Sequence, residues 1–546
     1  MASAIPSTLV SQRKDRSYSA AIEALNTLQS NAATIAAIRA VGGKHSDWLI
    51  PEMVEYLKRA GHSQRELDGL NVIHIAGTKG KGSTAAFTNA LLLRAFHQTN
   101  ESRQGPRIGL YTSPHMLLVR ERIRLDGIPI SEDQFANAFW HVWDAFEKTS
   151  DSRARPEITP ARPVYFKFLT VMAFHVFLSV PSLLAVVLEV GIGGRYDSTN
   201  IVPRPAACGI TTLGLDHQAV LGHTIEEIAA QKAGIYKRDV AAITVSQPFK
   251  QTEDILRSVA EDVGASSFTV LPPAETTPVA SIPLSLSGPH QTGNALLAVE
   301  LVDSYLKSQN VPKPAQSPST VWQDPAKHEL ESWATQALAE VRWPGRFQIV
   351  PLPFSRPGTI YFLDGAHTPD SLALCASWFI EQSPFGQTDL QRTLIFNCTM
   401  GRKARGLLAA MLEPIRAAWG TKKPLMEATR YFDRVFFCTN TTYRPSSGAA
   451  GGDLVNKMVD STELQTLAVQ RELRDAWLEL SGGKANVGAS VEVLPSIEDA
   501  MAAVPLSAKQ KQHVLVAGSL HLVGGVMSHL KEAGALNDDL EAVVDS

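Results

Sequence analysis

Short apolar runs alternate with helix-length stretches through the first part of the chain. The runs cover residues 72–76, 107–111, 183–190, 207–213 and 240–245. Each run has the length of one strand, and the stretches between them have room for a crossover helix. Such alternation is typical of βαβ units, in which helices join parallel strands. The pattern therefore predicts a mostly parallel sheet.

A second alternating series follows an irregular stretch. Residues 308–319 carry three prolines and indicate a surface connection. The later apolar runs cover 347–351, 360–363, 393–397, 434–438, 491–494 and 513–517. We therefore predict two doubly wound α/β domains, residues 1–340 and residues 341–546. A segment rich in Gly and Ala at 446–452 is interpreted as a surface insertion in the second domain.

The composition indicates a globular protein with large cores. Of the 546 residues, 44% are apolar and 19% are charged, which argues against disordered, collagenous and coiled-coil chains. Lys and Arg number 51 against 54 Asp and Glu, so no basic excess directs the protein to nucleic acid or to a membrane surface. The most apolar stretch, residues 171–190, contains polar residues and Pro181 and is not expected to span a bilayer.

The cysteines and the N-terminus bear on the compartment. The four cysteines form no CxxC pair and are interpreted as packing residues in a reducing compartment: Cys208, Cys375, Cys398 and Cys438. The N-terminus carries basic residues and serines, as transit peptides do, but lacks a secretory apolar core. We expect a cytoplasmic protein with a plain leader; the alternative is a transit peptide that also directs it to mitochondria.

A glycine-rich turn after the first strand carries the clearest chemistry. The run 72–76 is followed by the eight residues Gly77, Thr78, Lys79, Gly80, Lys81, Gly82, Ser83 and Thr84, and then by a helix-compatible run at 85–96. Backbone N–H groups of such a turn can converge on phosphate oxygens, and a lysine can neutralise them. Since Gly82 stands where the common nucleotide-binding pattern has Ser or Thr, the Mg²⁺ ligand of that pattern is displaced. The alternative is a turn without a ligand.

Glu189 stands next to the end of the apolar run 183–190. Because ligands gather at the carboxyl ends of parallel strands, this carboxylate is expected where a nucleotide-bound Mg²⁺ needs an oxygen ligand. The alternative is a solvated acid at a strand end.

At this point the sequence resembles the folylpolyglutamate synthase family, a branch of the Mur-type amide ligases. The matching stretches occur in order from residue 74 to residue 522. They are HIAGTKGKGS (74–83), YTSPH (111–115), RERI (120–123), LEVGIGG (188–194), LDH (215–217) with LG (221–222), QKAG (231–234), HQ (290–291) with NA (294–295), WPGR (343–346), LDGAH (363–367) and GSLHL (518–522).

The resemblance implies a reaction and an architecture. The family joins glutamate to the γ-carboxylate of a folate; ATP converts that carboxylate into an acyl phosphate, which the glutamate amine attacks. It implies an N-terminal P-loop ATPase domain at 1–340 and a C-terminal Rossmann-like domain at 341–546. The implied ligands are ATP, Mg²⁺, a monovalent cation such as K⁺, reduced folate and L-glutamate. By the same analogy we expect a monomer.

The resemblance also assigns the metal site. Ser113, Glu189 and His217 are implied Mg²⁺ ligands, and Lys232 is implied to carry a carbamate formed with CO₂. Each has a simpler local interpretation. Ser113 alone would be a helix cap before Pro114, His217 a loop or core histidine, and Lys232 an exposed lysine near a helix C-terminus.

The remaining implied residues lie further along the chain. Arg346 and Asp364 are assigned to ATP, Gln291 and Asn294 to its adenine side, and His367 to the neighbourhood of a glutamate pocket between the domains. The implied catalytic set is Lys81, His217, Lys232 and His367. The simpler interpretations are a surface position for Arg346 and an ordinary Asp-Gly turn at 364–365.

Two departures and two alternatives stay open. Family members often have Asn where this chain has Lys79 and Thr368, and both changes are similar to the eukaryotic branch. We favour a synthase acting on tetrahydrofolate and its polyglutamates. The alternatives are a bifunctional enzyme that also makes dihydrofolate from dihydropteroate, and a P-loop nucleotide switch without ligase activity.

Overall fold

The computed structural model describes residues 15–29, 46–97, 107–308, 317–327, 329–353, 358–398, 403–420, 424–444, 453, 466–483, 488–505 and 510–537. They divide into two compact units. The first takes its residues from Met1–His115, Arg120–Pro283 and Thr292–Glu340, and the second from Met116–Val119, Leu284–Gln291 and Val341–Ser546. The basic leader before residue 15, the centre of the proline-rich connection at 309–316 and the 446–452 segment lie outside the described residues.

The first unit is built on an eight-stranded sheet in the order β4-β3-β2-β5-β1-β6-β7-β8. Six strands, from β2 to β8 in that order, are parallel, and β3 and β4 extend one edge as antiparallel strands. The strands are β1 (Val72–Ala76), β2 (Ile108–Tyr111), β3 (Ile123–Leu125), β4 (Ile128–Pro129), β5 (Ala185–Glu189), β6 (Ala207–Ile210), β7 (Ala241–Thr244) and β8 (Ser267–Val270). A separate two-stranded antiparallel sheet consists of β9 (Trp322–Asp324) and β10 (Glu329–Leu330).

Helices accompany this sheet. They are α1 (Tyr18–Asn26), α2 (Leu49–Arg59), α3 (Lys81–His97), α4 (Glu132–Lys148), α5 (Tyr165–Leu178), α6 (Gln218–Leu221), α7 (Ile225–Ala233), α8 (Lys250–Val263), α9 (His290–Lys307) and α10 (Ser332–Ala339). Every residue of β1 and β5 is buried, as expected for central strands covered on both faces. In the described part of the chain, no helix is both long and apolar enough to cross a membrane.

The second unit contains a six-stranded sheet in the order β11-β12-β16-β13-β14-β15. Only β11 is antiparallel to its neighbour. The strands are β11 (Gln348–Pro351), β12 (Thr359–Leu363), β13 (Leu390–Phe396), β14 (Arg434–Cys438), β15 (Ser490–Leu494) and β16 (Lys511–Ala517). Its helices are α11 (Pro369–Gln382), α12 (Ala404–Trp419), α13 (Leu425–Ala428), α14 (Ala468–Leu480), α15 (Ile497–Ala502) and α16 (Leu520–Glu532).

The predicted fold class, α/β with mostly parallel sheets, is confirmed. Each apolar run named from the sequence overlaps a strand, and the bounds differ by a few residues. The strands β3, β4 and β8, at the two ends of the strand order, were missed because they are only partly buried. The helix expected from residue 85 starts at Lys81, so glycine and hydroxyl residues of the loop form its first turn. The N–H groups of a first turn have no partners within the helix.

Candidate active site

The loop between β1 and α3 accepts only glycine at two positions. Gly77 has φ +148°, and a Cβ there would lie 1.8 Å from Thr211 Oγ1. Gly80 has φ +89°, and a Cβ there would lie 2.1 Å from Asn294 Oδ1. The turn is therefore held between β6 and α9, with the predicted adenine-side residue Asn294 packed against it.

Two lysines meet at one carbonyl of this loop. Lys81 Nζ donates to Gly77 O at 3.2 Å, and Lys232 Nζ donates to the same oxygen at 2.8 Å. Lys232 is 3% exposed. Burial first, and then the Lys81 charge, lower the pKa of Lys232 to about 7, against opposing effects of Asp216 and Asp197. A neutral amine is therefore accessible near physiological pH.

The simpler interpretation of Lys232 as an exposed lysine is wrong. Its helix, α7, begins at the Thr224 cap, whose side chain accepts from the Glu227 N–H. A Cβ on Gly194 would lie 2.7 Å from the Lys232 carbonyl oxygen, so this glycine lets the loop after β5 approach the helix end. The approach buries the lysine in contact with the loop between β1 and α3, residues 77–80, which is called the phosphate loop below.

Glu189 and Ser113 lie next to each other at the carboxyl ends of β5 and β2. The two strands pair in parallel, with Tyr111 opposite Leu188. The buried Glu189 carboxylate accepts the Ser113 backbone N–H at 3.1 Å. Ser113 precedes a cis peptide bond to Pro114 and caps no helix, so that interpretation is wrong.

The side-chain chemistry of Ser113 and Glu189 fits a divalent cation that retains other ligands. A carboxylate and a hydroxyl are hard donors suited to Mg²⁺, which usually keeps waters and binds phosphate oxygens. The described residues contain no cluster of three His, Cys, Asp or Glu side chains that would hold a metal without further ligands. Ser113 and Glu189 as Mg²⁺ ligands stay a prediction.

The loop after β6 lies at the same carboxyl ends of the parallel strands. The Thr212 carbonyl accepts the N–H groups of Thr78 and Lys79, both at 3.1 Å. His217 follows with a left-handed backbone, φ +52°, and its side chain is 46% exposed, with Nε2 4.0 Å from Asp216 Oδ2. His217 is therefore not a core histidine, and its role as a metal ligand stays a prediction. Strained backbone is frequent at functional sites.

The second unit brings Arg346, Asp364 and His367 together after β12. Asp364 is 6% exposed and accepts the N–H groups of Phe347 and Ala366 at 3.1 and 2.9 Å. Burial raises its pKa to about 6, although the Arg346 charge lowers it. A Cβ on Gly365 would lie 2.5 Å from Arg346 Nη1. The turn is therefore built around a half-buried arginine, which contradicts the surface interpretation of Arg346.

His367 and Thr368 lead from this turn into α11. His367 Nδ1 lies 2.9 Å from Gly365 O. The Thr368 side chain caps α11 ahead of Pro369. Asn is also a favoured cap, so Thr in place of Asn keeps the local structure.

Gln291 and Asn294 lie in the first turns of α9 and are 1% and 3% exposed. Gln291 groups with the second unit and Asn294 with the first. Their predicted assignment to the adenine stays a prediction.

Sequence reasoning missed the threonines that anchor the phosphate loop. Thr211 and Thr212 directly follow the last residue of β6, and the loop from Gly77 to Lys79 packs on them. Two hydroxyl residues directly after a buried parallel strand were the available signal.

Comparisons with known proteins bear on the family and on the fold. A scan against models of protein families finds no match. The chain is 37% identical over 520 residues to the folylpolyglutamate synthase of Candida albicans, covering 94% of this chain and 96% of that one. It is similar in structure to Mycobacterium tuberculosis folylpolyglutamate synthase complexed with ADP and AMPPCP, with a TM-score of 0.59, 24% identity and coverage of 88% and 94%.

A further solved structure is similar in fold. It is the bifunctional folylpolyglutamate synthase/dihydrofolate synthase of Yersinia pestis complexed with AMPPNP and a Mn ion, with a TM-score of 0.56 and 22% identity, covering 88% of this chain and 93% of that one. At this identity the likeness bears on the fold alone. The identity and coverage shared with the Candida albicans protein decide the family: the chain belongs to the folylpolyglutamate synthase family.

Proposed function

We propose that the protein is an ATP-dependent ligase, a tetrahydrofolate synthase or folylpolyglutamate synthase. It joins the amino group of L-glutamate to the γ-carboxylate of tetrahydrofolate and of its polyglutamates, and it releases ADP and phosphate. One observation carries the proposal: two pairs of groups lie at the carboxyl ends of the central strands of the first sheet. Lys81 and Lys232 both donate to the Gly77 carbonyl, and the Ser113 N–H donates to Glu189.

Charge neutralisation and alignment are the main tasks of the site. The folate carboxylate and the γ-phosphate are both anions, so their approach is unfavourable until positive charge surrounds them. Lys81, at the first turn of α3, adds its ammonium to the partial positive charge of the helix N-terminus. We infer that its amine moves from the Gly77 carbonyl to the phosphate oxygens of bound ATP.

Ser113 and Glu189 would hold Mg²⁺, and His217 is the proposed ligand of a second ion. When bound, Mg²⁺ neutralises phosphate charge and polarises the γ-phosphoryl group. The Ser113 N–H already holds the Glu189 carboxylate in place. A monovalent cation such as K⁺ belongs to the proposal by resemblance to the family.

Lys232 is the proposed site of carbamylation. Its amine must lose a proton before it attacks CO₂, and burial beside Lys81 lowers its pKa to about 7. Carbamylation exchanges a buried positive charge for a negative one beside Lys81. That exchange replaces a repulsion by an attraction and offers an anionic group to a cation.

By resemblance to the family, we propose Arg346 and Asp364 as ATP residues and His367 as a glutamate residue. Arg346 supplies a permanent positive charge, and the backbone N–H groups of Phe347 and Ala366 fix the Asp364 carboxylate. Gln291 and Asn294 would contact the adenine side.

One assay separates the three candidate functions. Purified protein is given ATP and Mg²⁺ with tetrahydrofolate, glutamate, both or neither, and ADP is measured. The proposal expects ADP release only with both substrates, and a product heavier by one or more glutamate residues. ADP release with dihydropteroate and glutamate would establish the bifunctional alternative. Nucleotide binding without substrate-dependent ADP would favour the switch and refute the ligase.

Compartment and assembly belong to the proposal as well. We propose a cytoplasmic monomer, with a second, mitochondrial pool as the alternative. Imaging of the tagged full chain tests the compartment, and light scattering of the purified protein tests the mass.

A further inference from the structure

A histidine buried in the strand before the phosphate loop has no role in the proposed reaction. His74, on β1, is fully buried, and its Nε2 lies 2.9 Å from Thr199 Oγ1. Its Nδ1 contacts no hydrogen-bonding partner in the described part of the chain. Burial, with a smaller effect of Lys237, lowers the pKa of His74 to about 3, so the ring is neutral.

The contacts of Thr199 fix which ring nitrogen carries the proton. The Thr199 hydroxyl donates to Asp197 Oδ1 at 2.6 Å, and a carboxylate only accepts. The hydroxyl has one hydrogen, so Thr199 Oγ1 can only accept from the ring. His74 therefore donates through Nε2–H, and Nδ1 is the bare nitrogen.

Asp197, the last residue of this hydrogen-bonded series, holds the loop that follows Glu189. Asp197 Oδ1 also accepts the Thr199 N–H at 2.9 Å, and Oδ2 accepts the Ile192 N–H at 3.1 Å. The Gly191 N–H is a further donor to this carboxylate. Gly191 and Ile192 are two and three residues beyond Glu189, so the position of Asp197 sets how the chain leaves β5.

We propose that His74 is a positioning residue for the metal site: its Nε2–H orients Thr199, Thr199 orients Asp197, and Asp197 fixes the backbone that follows Glu189. The inference rests on the proposed function only in taking Glu189 as a ligand of the divalent ion. Groups that hold metal ligands in place typically change metal affinity 10- to 100-fold when they are removed.

Two substitutions of the same histidine test this inference. The side-chain amide of Gln reaches the position of Nε2, whereas that of Asn reaches only the position of Nδ1, where no partner lies. His74→Gln therefore keeps the donor and His74→Asn removes it, although both bury an amide. Mn²⁺ binding in the presence of AMPPNP is measured by electron paramagnetic resonance, independently of ligation. We expect His74→Asn to weaken Mn²⁺ about tenfold and His74→Gln to stay close to the unmodified protein.

One control variant and a second pair of substitutions, at Thr199, complete the test. His513→Gln removes the contact of another buried histidine with a serine, Ser383, in the second unit, and should leave Mn²⁺ affinity unchanged. If the His74 variants do not fold, Thr199→Ser, which keeps the hydroxyl, is compared with Thr199→Val, which removes it. Only Thr199→Val should weaken Mn²⁺.

The outcomes are distinguishable from those of the proposed function. Equal Mn²⁺ affinities within the pair that is measured would overturn the positioning role, even if both variants lose thermal stability. A difference in Mn²⁺ affinity in a protein that fails to ligate glutamate to folate would support the positioning role and refute the proposed function.

Discussion

Replacing Lys232 by Met should change how the stability of the protein depends on pH. The ammonium of Lys232 is buried beside Lys81 and has the Gly77 carbonyl as its hydrogen-bond acceptor. Methionine has a similar length and no charge, so the substitution removes the charge and leaves the packing nearly unchanged.

The sign and size follow from the pKa. Burial and Lys81 lower the pKa of Lys232 from 10.5 to about 7 in the folded protein. Below pH 7 the lysine is charged in both states, and the folded state bears the full cost of burying it. Between the two pKa values the unfolded chain binds more protons, so stability rises with pH. From pH 7 to pH 9, the gain is about 2 kcal/mol at ~1.4 kcal/mol per pKa unit.

Urea denaturation in CO₂-free buffer from pH 6 to pH 9 measures this effect. The unfolding free energy of Lys232→Met minus that of the unmodified protein should fall by about 2 kcal/mol between pH 7 and pH 9. Lys250→Met, at a side chain that is 73% exposed, is the control and should give a constant difference. A constant difference for Lys232→Met as well would refute the buried-amine reasoning.

Three further outcomes test the phosphate and metal assignments. Lys81→Ala should lower turnover about 10²- to 10³-fold without lowering the melting temperature; near-normal turnover would contradict its role. Glu189→Gln should raise the Mg²⁺ concentration for half-maximal activity about tenfold or more; an unchanged titration would remove Glu189 from the site. Gly80→Ala should weaken ATP binding and destabilise the fold by roughly 1–3 kcal/mol, whereas Gly69→Ala, with no atom within 4 Å of its Cβ, should do neither.

Hydrophobic pattern was sufficient to predict the central strands. β1 and β5 are buried along their whole length, and strands buried on both faces have nearly continuous apolar sequences. The edge strand β8 has exposed residues, so its sequence carries little of that signal. The same reasoning predicted that Glu189 lies at the carboxyl end of a central strand, and the structure has it at the end of β5.

Contacts between residues that lie far apart in the sequence could not be predicted from local patterns. The burial of Lys232 depends on Gly194 and Gly77, which lie 38 and 155 residues away. A lysine at a helix end gives the same local pattern whether a loop covers it or not. The chain from His74 to Asp197 was missed for the same reason, since it crosses from one strand to a distant loop.

The most direct test of the acyl phosphate follows one oxygen atom. Tetrahydrofolate labelled with ¹⁸O in its γ-carboxylate is converted with ATP and glutamate, and the phosphate and ADP are analysed by mass spectrometry. Phosphorylation of the carboxylate followed by attack of the amine leaves one carboxylate oxygen on phosphorus. The account predicts phosphate with one ¹⁸O and unlabelled ADP; unlabelled phosphate from a turnover that lengthens the folate would contradict it.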